Sequence, residues 1–312
     1  VKGLSIMAVI KDMLKIGNKK ETSLIEEFSY PKYGPGQLWE EVASKFEKLG
    51  GKIKKNNEVV KINFNNDKIT SVICKNKNQL IEYKADIFIS SMPLKDLVVN
   101  LNGKVPKNIK NIAKNLPYRD FVTVGLLVDK LNLKNETNIK TLNNIIPDCW
   151  IYVQDSSCKL GRIQVFNNWS PYMVKDPLNT VWIGLEYFCN EGDECWKLSD
   201  KKRLEFVTKE LVKMNVIDKD DILDYHIEKV KKAYPAYFDS YKDIDKLIDY
   251  INKFDNLYCV GRNGQHRYNN MDHSMMTSFE AVYNIDNSIS DKSNIWNVNT
   301  ESDYHEEKEN DS

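Results

Sequence analysis

Near the carboxyl end an apolar run, Leu257-Tyr258-Cys259-Val260, leads straight into Gly261-Arg262-Asn263-Gly264, and a helical segment begins near Asp272. A strand, a glycine-bearing turn and a helix start in such close succession restrict a fold more than any other stretch of this chain. Glycine permits close backbone approach, and the first amides of a helix lack partners within it, so the corner suits an anion. Arg262 adds a guanidinium whose planar fork matches phosphate oxygens. Asp272 or Ser274 is placed to cap the helix, leaving other amides for a ligand. An ordinary capped surface loop would explain the glycines equally well. The gathering of Arg262, His266, Arg267, Tyr268, Asn269 and Asn270 in the same stretch favours a binding site. Beyond it, Met275, Met276, Phe279, Val282 and Ile285 are spaced to turn a helical face toward a core.

Upstream, the periodicity alternates between helix and strand, which makes the fold class α/β. Leu4, Met7, Ala8, Ile10, Met13 and Leu14 follow a helical pattern, then an aromatic loop runs from Phe28 to Gly36. Leu38, Trp39, Val42, Ala43, Phe46 and Leu49 share one helical face, and Gly50-Gly51 sits where a helix C-cap belongs. Val60, Ile62 and Phe64 alternate up to an Asn65-Asn66-Asp67 turn, after which Ile69, Ser71 and Ile73 alternate again, predicting a hairpin. Ala85 to Ile89 reads as a short buried strand. Phe121 to Val128, Trp150 to Val153, Arg162 to Phe166 and Val181 to Glu186 read as an antiparallel sheet, with helices within Leu97 to Ala113 and over Asp200 to Met214. If Trp150-Ile151-Tyr152 and the segment from Arg162 are neighbouring strands, Tyr152 and Arg162 share a face and offer a phenol and a guanidinium to a phosphorylated ligand. A plain cross-strand contact is the competing explanation. Tyr234-Pro235-Ala236-Tyr237 is either a pocket wall or an aromatic corner beneath a loop.

Composition narrows the partners. Among 312 residues, 45 Lys plus Arg balance 45 Asp plus Glu, which argues against nucleic acid and against a polybasic membrane binder. The longest uncharged apolar stretches are of strand length, so no transmembrane segment is expected. The six cysteines form no CxxC pair and the four histidines no paired-ligand pattern, so the sequence points to no metal and to reduced thiols in a cytoplasmic protein. Only Arg119, Arg162, Arg203, Arg262 and Arg267 are arginines, so an Arg here marks a place where the fork is wanted; Arg203, inside Lys201-Lys202-Arg203, reads as chance.

Taken together and in order, these segments resemble the UDP-galactopyranose mutase branch of the FAD-dependent amine-oxidase-like flavoproteins. The resemblance runs from about Gly3 to Ile285 and is most specific at Tyr30 to Trp39, Arg162 to Pro171 and Gly261 to Ser274. It implies a partial FAD-binding Rossmann-like domain of the GxGxxG class, interleaved with an antiparallel-sheet substrate domain. It divides the chain into a helical part of the substrate domain (1–28), an FAD-domain segment (29–95), the substrate domain (96–250), a closing FAD-domain segment (251–286) and an acidic mobile tail (287–312). The resemblance places Val59, Gly261, Arg262, Gly264, Asn270, Met271, Asp272, His273 and Ser274 against FAD. It places Tyr152, Arg162, Asn168, Tyr234, Arg262 and Tyr268 around a nucleotide-sugar substrate. The reaction it implies uses reduced flavin as a nucleophile at the anomeric carbon, with the protein positioning the sugar and neutralising the departing diphosphate. It marks no side chain of the chain as the catalytic residue.

One departure from the family is plain: the chain holds no GxGxxG, and it opens on Val1. The expectation is that a preceding piece, roughly half as much chain again, is missing and that FAD binds weakly or not at all without it. On this reading the activity belongs to a longer parent or to a complementing chain. An amine-oxidase or protoporphyrinogen-oxidase type of oxidoreductase is the alternative within the same fold, and a non-catalytic remnant is the alternative outside enzymes. The sequence leaves the sugar, the reductant and the oligomeric state open.

Overall fold

The computed structural model describes residues 29–299, so the helical reading of 1–28 and the end of the tail, 300–312, lie outside the described residues. In chain order the elements are α1 (Pro35–Lys48), β1 (Glu58–Asn65), β2 (Lys68–Asn76), β3 (Gln79–Lys84), β4 (Phe88–Ser90), α2 (Leu94–Val99), β5 (Leu101–Asn102) and α3 (Lys107–Lys114). There follow β6 (Tyr118–Val128), β7 (Trp150–Tyr152), β8 (Arg162–Val165), α4 (Phe166–Trp169), β9 (Val181–Cys189), α5 (Glu194–Lys197) and α6 (Asp200–Lys213). The chain closes with β10 (Ile222–Pro235), α7 (Ile244–Asn252), β11 (Leu257–Cys259), α8 (Gly261–Gln265), α9 (Met271–Asp286) and α10 (Ser293–Trp296).

Three sheets result. One has the order β3-β2-β1-β5 and one the order β10-β6-β9-β8-β7, while β11 and β4 form a parallel pair. The predicted hairpin is β1–β2, turned at Asn66 in the left-handed region that Asn tolerates. Gly50, at φ 90°, closes α1 as expected, its amide bonded to the Glu47 carbonyl and that of Gly51 to Phe46. Asn256 ties the hairpin to the parallel pair: its amide group donates to the carbonyls of Ile69 and Asp86, both at 2.9 Å.

There are two main cores. Ile62, Ile69, Leu94, Leu97, Leu116, Leu247, Ile251 and Leu257 build the first, and Val122, Val124, Ile163, Ile183, Leu185, Val207 and Leu211 the second. α2 and α3 bury their apolar faces with the hairpin, and the second core begins at β6. The segment expected to be helical within 97–113 is broken into α2 and α3 by β5, which pairs parallel with β1.

Other expectations fail for physical reasons. On α9 the face spaced like a core stripe is open: Met276, Phe279 and Val282 are exposed, whereas Thr277, Ala281 and Asn284 are buried. Small side chains are what let this helix lie close to β11, where Ala281 meets Tyr258 and Val260. The strand ending at Ile89 is only half covered, since Ile87 and Ile89 are exposed. The apolar face of α1 is likewise uncovered; none of its residues is buried. The tail begins later than residue 287, because Ile295 and Trp296 of α10 are buried, and Lys292, also buried, donates to the carbonyls of Phe254 and Leu257. Arg203 is no accident of a lysine run: it is fully buried and donates to the carbonyls of Cys195 and Trp196.

Candidate functional site

The five-stranded sheet sorts its side chains strictly by parity. Even positions of β6 and odd positions of β7, β8 and β9 enter the second core; the opposite set, including Trp150, Tyr152, Arg162, Gln164, Glu186 and Phe188, faces the other way. Tyr152 stands directly across from Arg162, and Arg162 across from Glu186. The expected shared face for Tyr152 and Arg162 thus exists, on three rigid strands.

Arg162 is held from three sides. Its Nε donates to Glu186 Oε2 at 2.6 Å and its Nη2 meets the same oxygen, while its guanidinium lies 5.2 Å from the Trp150 ring centre and 5.8 Å from that of Tyr152. Burial alone would lower its pKa; the hydrogen bond and charge of Glu186 outweigh it, so the group is held above its usual value. Glu186 is almost wholly buried and also accepts from Gln164 Nε2. Sequence reasoning passed over Glu186. Its signal was a carboxylate at the end of an otherwise apolar strand, Val181 to Glu186.

Tyr234 lies near the end of β10, a long strand that among the described residues pairs within the sheet only with β6. Its ring meets Phe121 and Phe188 and stacks on Tyr268 at 5.7 Å and 14° between planes. The Arg262 guanidinium sits 5.3 Å from the Tyr234 ring centre and 4.6 Å from that of Tyr268, and its Nε donates to the Asn269 carbonyl at 2.8 Å. Tyr234 is also within electrostatic reach of Arg162. The site residues Tyr152, Arg162, Tyr234, Arg262 and Tyr268, distant in sequence, are therefore brought together. The Asn168 amide group donates to the carbonyls of Ile146 and Asp148 at 2.7 and 2.9 Å.

The corner at 261–274 departs from a simple turn, because Gly261–Gln265 coils into α8. Gly261 has φ +73°, a conformation L side chains rarely adopt, and the space where a Cβ would stand is open, its nearest neighbour being Ser274 Cβ at 4.0 Å. Gly264 answers a different need, since a Cβ there would lie 2.6 Å from the Ser90 carbonyl oxygen. The Gly261 amide is taken by Thr277 Oγ1 at 2.8 Å. The helix cap is Asn270, not Asp272 or Ser274: Asn270 and His273 form a reciprocal capping box, with the Asn270 amide donating to His273 Nδ1 at 3.3 Å. Met271 and Asp272 are exposed and Ser274 is half-buried beside them.

Several polar residues that seemed to crowd this corner look inward. His266 is fully buried at φ 51°, its Nε2 3.0 Å from the Ala236 carbonyl, and burial lowers its pKa to about 4. Arg267 donates to the Asn299 carbonyl at 2.7 Å. The Tyr237 hydroxyl accepts the Tyr268 amide, its ring stacks on Tyr241, and burial pushes its pKa up to about 12. Val59, assigned to the cofactor, is half-buried at the rim of the first core, beside a recess of about 490 Å³ lined by Asn56, Asn57, Glu58, Lys75 and Lys77.

The open cradle at Gly261 and the buried, unpartnered Asn263 Oδ1 and Ser90 Oγ suit a polar ligand such as the phosphate and ribityl portion of FAD. Among the described residues no group of three His, Cys, Asp or Glu side chains could hold a metal ion, and no helix is long and apolar enough to cross a membrane.

Comparison with known proteins agrees with the fold. A family profile described as flavin containing amine oxidoreductase matches residues 7–273. A crystal structure of reduced UDP-galactopyranose mutase is similar over 86% of this chain and 55% of its own, at 19% identity and a TM-score of 0.69. A structure described as a protoporphyrinogen oxidase from Exiguobacterium sp. 255-15 is similar over 74% of this chain and 46% of its own, at 15% identity and a TM-score of 0.51. The chain thus spans about half the length of these solved structures. No curated protein sequence matches it.

Proposed function

Because the chain belongs to the flavin containing amine oxidoreductase family, we propose that the open sheet face and the corner at 261–274 are two walls of one flavoenzyme site for a nucleotide sugar, as in a UDP-galactopyranose mutase. The carrying observation is the neighbourhood of Tyr234: Arg262 from α8 lies 5.3 Å from its ring centre, and Arg162 from the sheet is within electrostatic reach of it. With Glu186 balancing Arg162, the cluster keeps a net positive charge from Arg262, which favours an anion beside these groups. A diphosphate suits that demand, whereas the cationic substrate of an amine oxidase would be repelled. That electrostatic sign favours the mutase reading over the oxidase one.

The chain's own groups divide the work. The Arg162 fork is fixed by Glu186, and Arg262 lies against the stacked pair Tyr234–Tyr268 with its Nε tied to the Asn269 carbonyl, so neither must be ordered when the ligand arrives. Tyr152, Tyr234 and Tyr268 offer hydroxyls to phosphate oxygens, and the aromatic rings around them keep water from the diphosphate. As the sugar–phosphate bond lengthens, the two guanidiniums take up the charge collecting on the departing diphosphate. FAD, when bound along Gly261, Asn263 and the start of α9, supplies the electron-rich ring that a sugar rearrangement of this kind requires.

Titration with UDP and with uridine tests the reading. UDP should bind at least about tenfold more tightly than uridine, a difference of about 1.4 kcal/mol, and Arg162→Ala should remove most of that advantage. Equal affinity for UDP and uridine in the unsubstituted chain would refute it.

A further inference from the structure

Next to a site that gathers two guanidiniums for an anion, a buried carboxylate is an electrostatic burden. Glu186 is such a group, 2% exposed and on the same face as Arg162. It repels a phosphate, and its burial costs free energy unless it is fully paired. It is fully engaged. One oxygen takes both Nε and Nη2 of Arg162 and the other takes Gln164 Nε2. With Nε and Nη2 both turned to Glu186, the Nη1 end of the fork is turned away from Glu186, and the ligand would meet it together with the Tyr152 hydroxyl that also hydrogen-bonds Arg162.

We propose that Glu186 is a positioning residue of the diphosphate site: it clamps the Nε–Nη2 edge of Arg162 against the sheet, so that the Nη1 end is presented to the ligand in one fixed orientation. The proposal rests on the reading of this face as a diphosphate site. The Trp150 ring face alone could not impose that orientation, because a ring attracts a guanidinium without choosing which of its nitrogens points where, and the Tyr152 hydroxyl, hydrogen-bonded to Arg162, assists Glu186 from the opposite strand. Gln164 completes the clamp by holding Glu186 from the other side.

Two measurements decide it. The first is a double-mutant cycle on UDP affinity. Glu186→Ala should weaken UDP at least about fivefold in the unsubstituted chain and change it less than about twofold when Arg162 is already Ala. A merely structural Glu186 would produce the same loss in both backgrounds, and a mere counter-charge would make UDP bind more tightly on its removal; either result overturns the proposal. The second readout needs no nucleotide. With only five arginines in the chain, nitrogen-15 spectra of the arginine Nε–H groups are simple, and Arg162→Ala identifies the Arg162 signal. That proton should exchange slowly with water, and Glu186→Gln, which keeps size and removes charge, should speed its exchange at least about tenfold. Unchanged exchange in Glu186→Gln overturns the clamp. If the unsubstituted chain fails to discriminate UDP from uridine while Arg162 exchange responds to Glu186→Gln, the diphosphate reading falls and the clamp on Arg162 stands.

Discussion

Gly264→Ala is a small substitution with a large expected effect. The added methyl would stand 2.6 Å from the Ser90 carbonyl oxygen and 3.2 Å from Ser91 Cα. Both are backbone atoms, and the Ser90 carbonyl is fixed by the Val260 amide at 3.0 Å, so no side chain can swing aside. Ordinary contact needs roughly 3.5 Å, which requires α8 to move by most of an ångström. Overpacking of this kind costs about 2–3 kcal/mol, which lowers Tm by about 3–5 °C in a protein of this size. Gly36 provides the control. It lies in α1 with nothing within 4 Å of its would-be Cβ, so Gly36→Ala should be neutral or should stabilise by up to about 1 kcal/mol. Far-UV circular dichroism melts of the two variants measure the contrast. A Gly264→Ala protein melting within about 1 °C of the parent would show that α8 does not rest on the end of β4 and would refute the steric argument.

Two further predictions concern buried and exposed side chains. His266 keeps its ring neutral down to about pH 4 in the folded protein, against 6.5 for the free group. The unfolded chain therefore binds more protons between these values, and stability falls as pH drops from about 6.5 toward 4, by up to about 3 kcal/mol. His266→Asn tolerates the same positive φ and should flatten that part of the profile; equal slopes in urea midpoints at pH 7 and pH 5 would contradict the assignment. On α9, Phe279→Asp should alter unfolding free energy by less than about 0.5 kcal/mol and reduce binding of an apolar dye, because the ring is exposed. A loss above about 2 kcal/mol would place the ring in a core.

Much of this architecture is written in local pattern. The hairpin at Asn66, the strands from Phe121 to Val128 and at Arg162, and the glycine close of α1 follow from alternation and turn chemistry that need no distant contact. β10 escaped that logic: Asp224, His226, Glu228 and Lys231 fill a strand that owes its form to β6 rather than to its own sequence. α9 misled for the opposite reason. Its large apolar residues carry a strong helical period, yet closeness to β11 selected Thr277 and Ala281 for the buried side. At the site, residue types and strand parity predicted Tyr152 beside Arg162. The inward turn of His266 and the capping by Asn270 depend on tertiary contacts with Ala236 and on cap geometry, which spacing does not encode. The carboxylate closing the apolar strand Val181 to Glu186 marked an odd charge, but its partner Arg162 is fixed only once both strands are in register.

The parallel pair β4–β11 has unequal margins. Along β11 the outward carbonyls of Leu257 and Cys259 are occupied by Lys292 Nζ at 2.9 Å and Gln265 Nε2 at 3.4 Å, so that border is stitched shut by side chains. Along β4 the outward peptide groups around Ile89 meet no strand among the described residues. Lateral growth of this sheet has one permitted direction, and the berth it leaves lies on the far side of β4, next to bare isoleucines that water wets poorly.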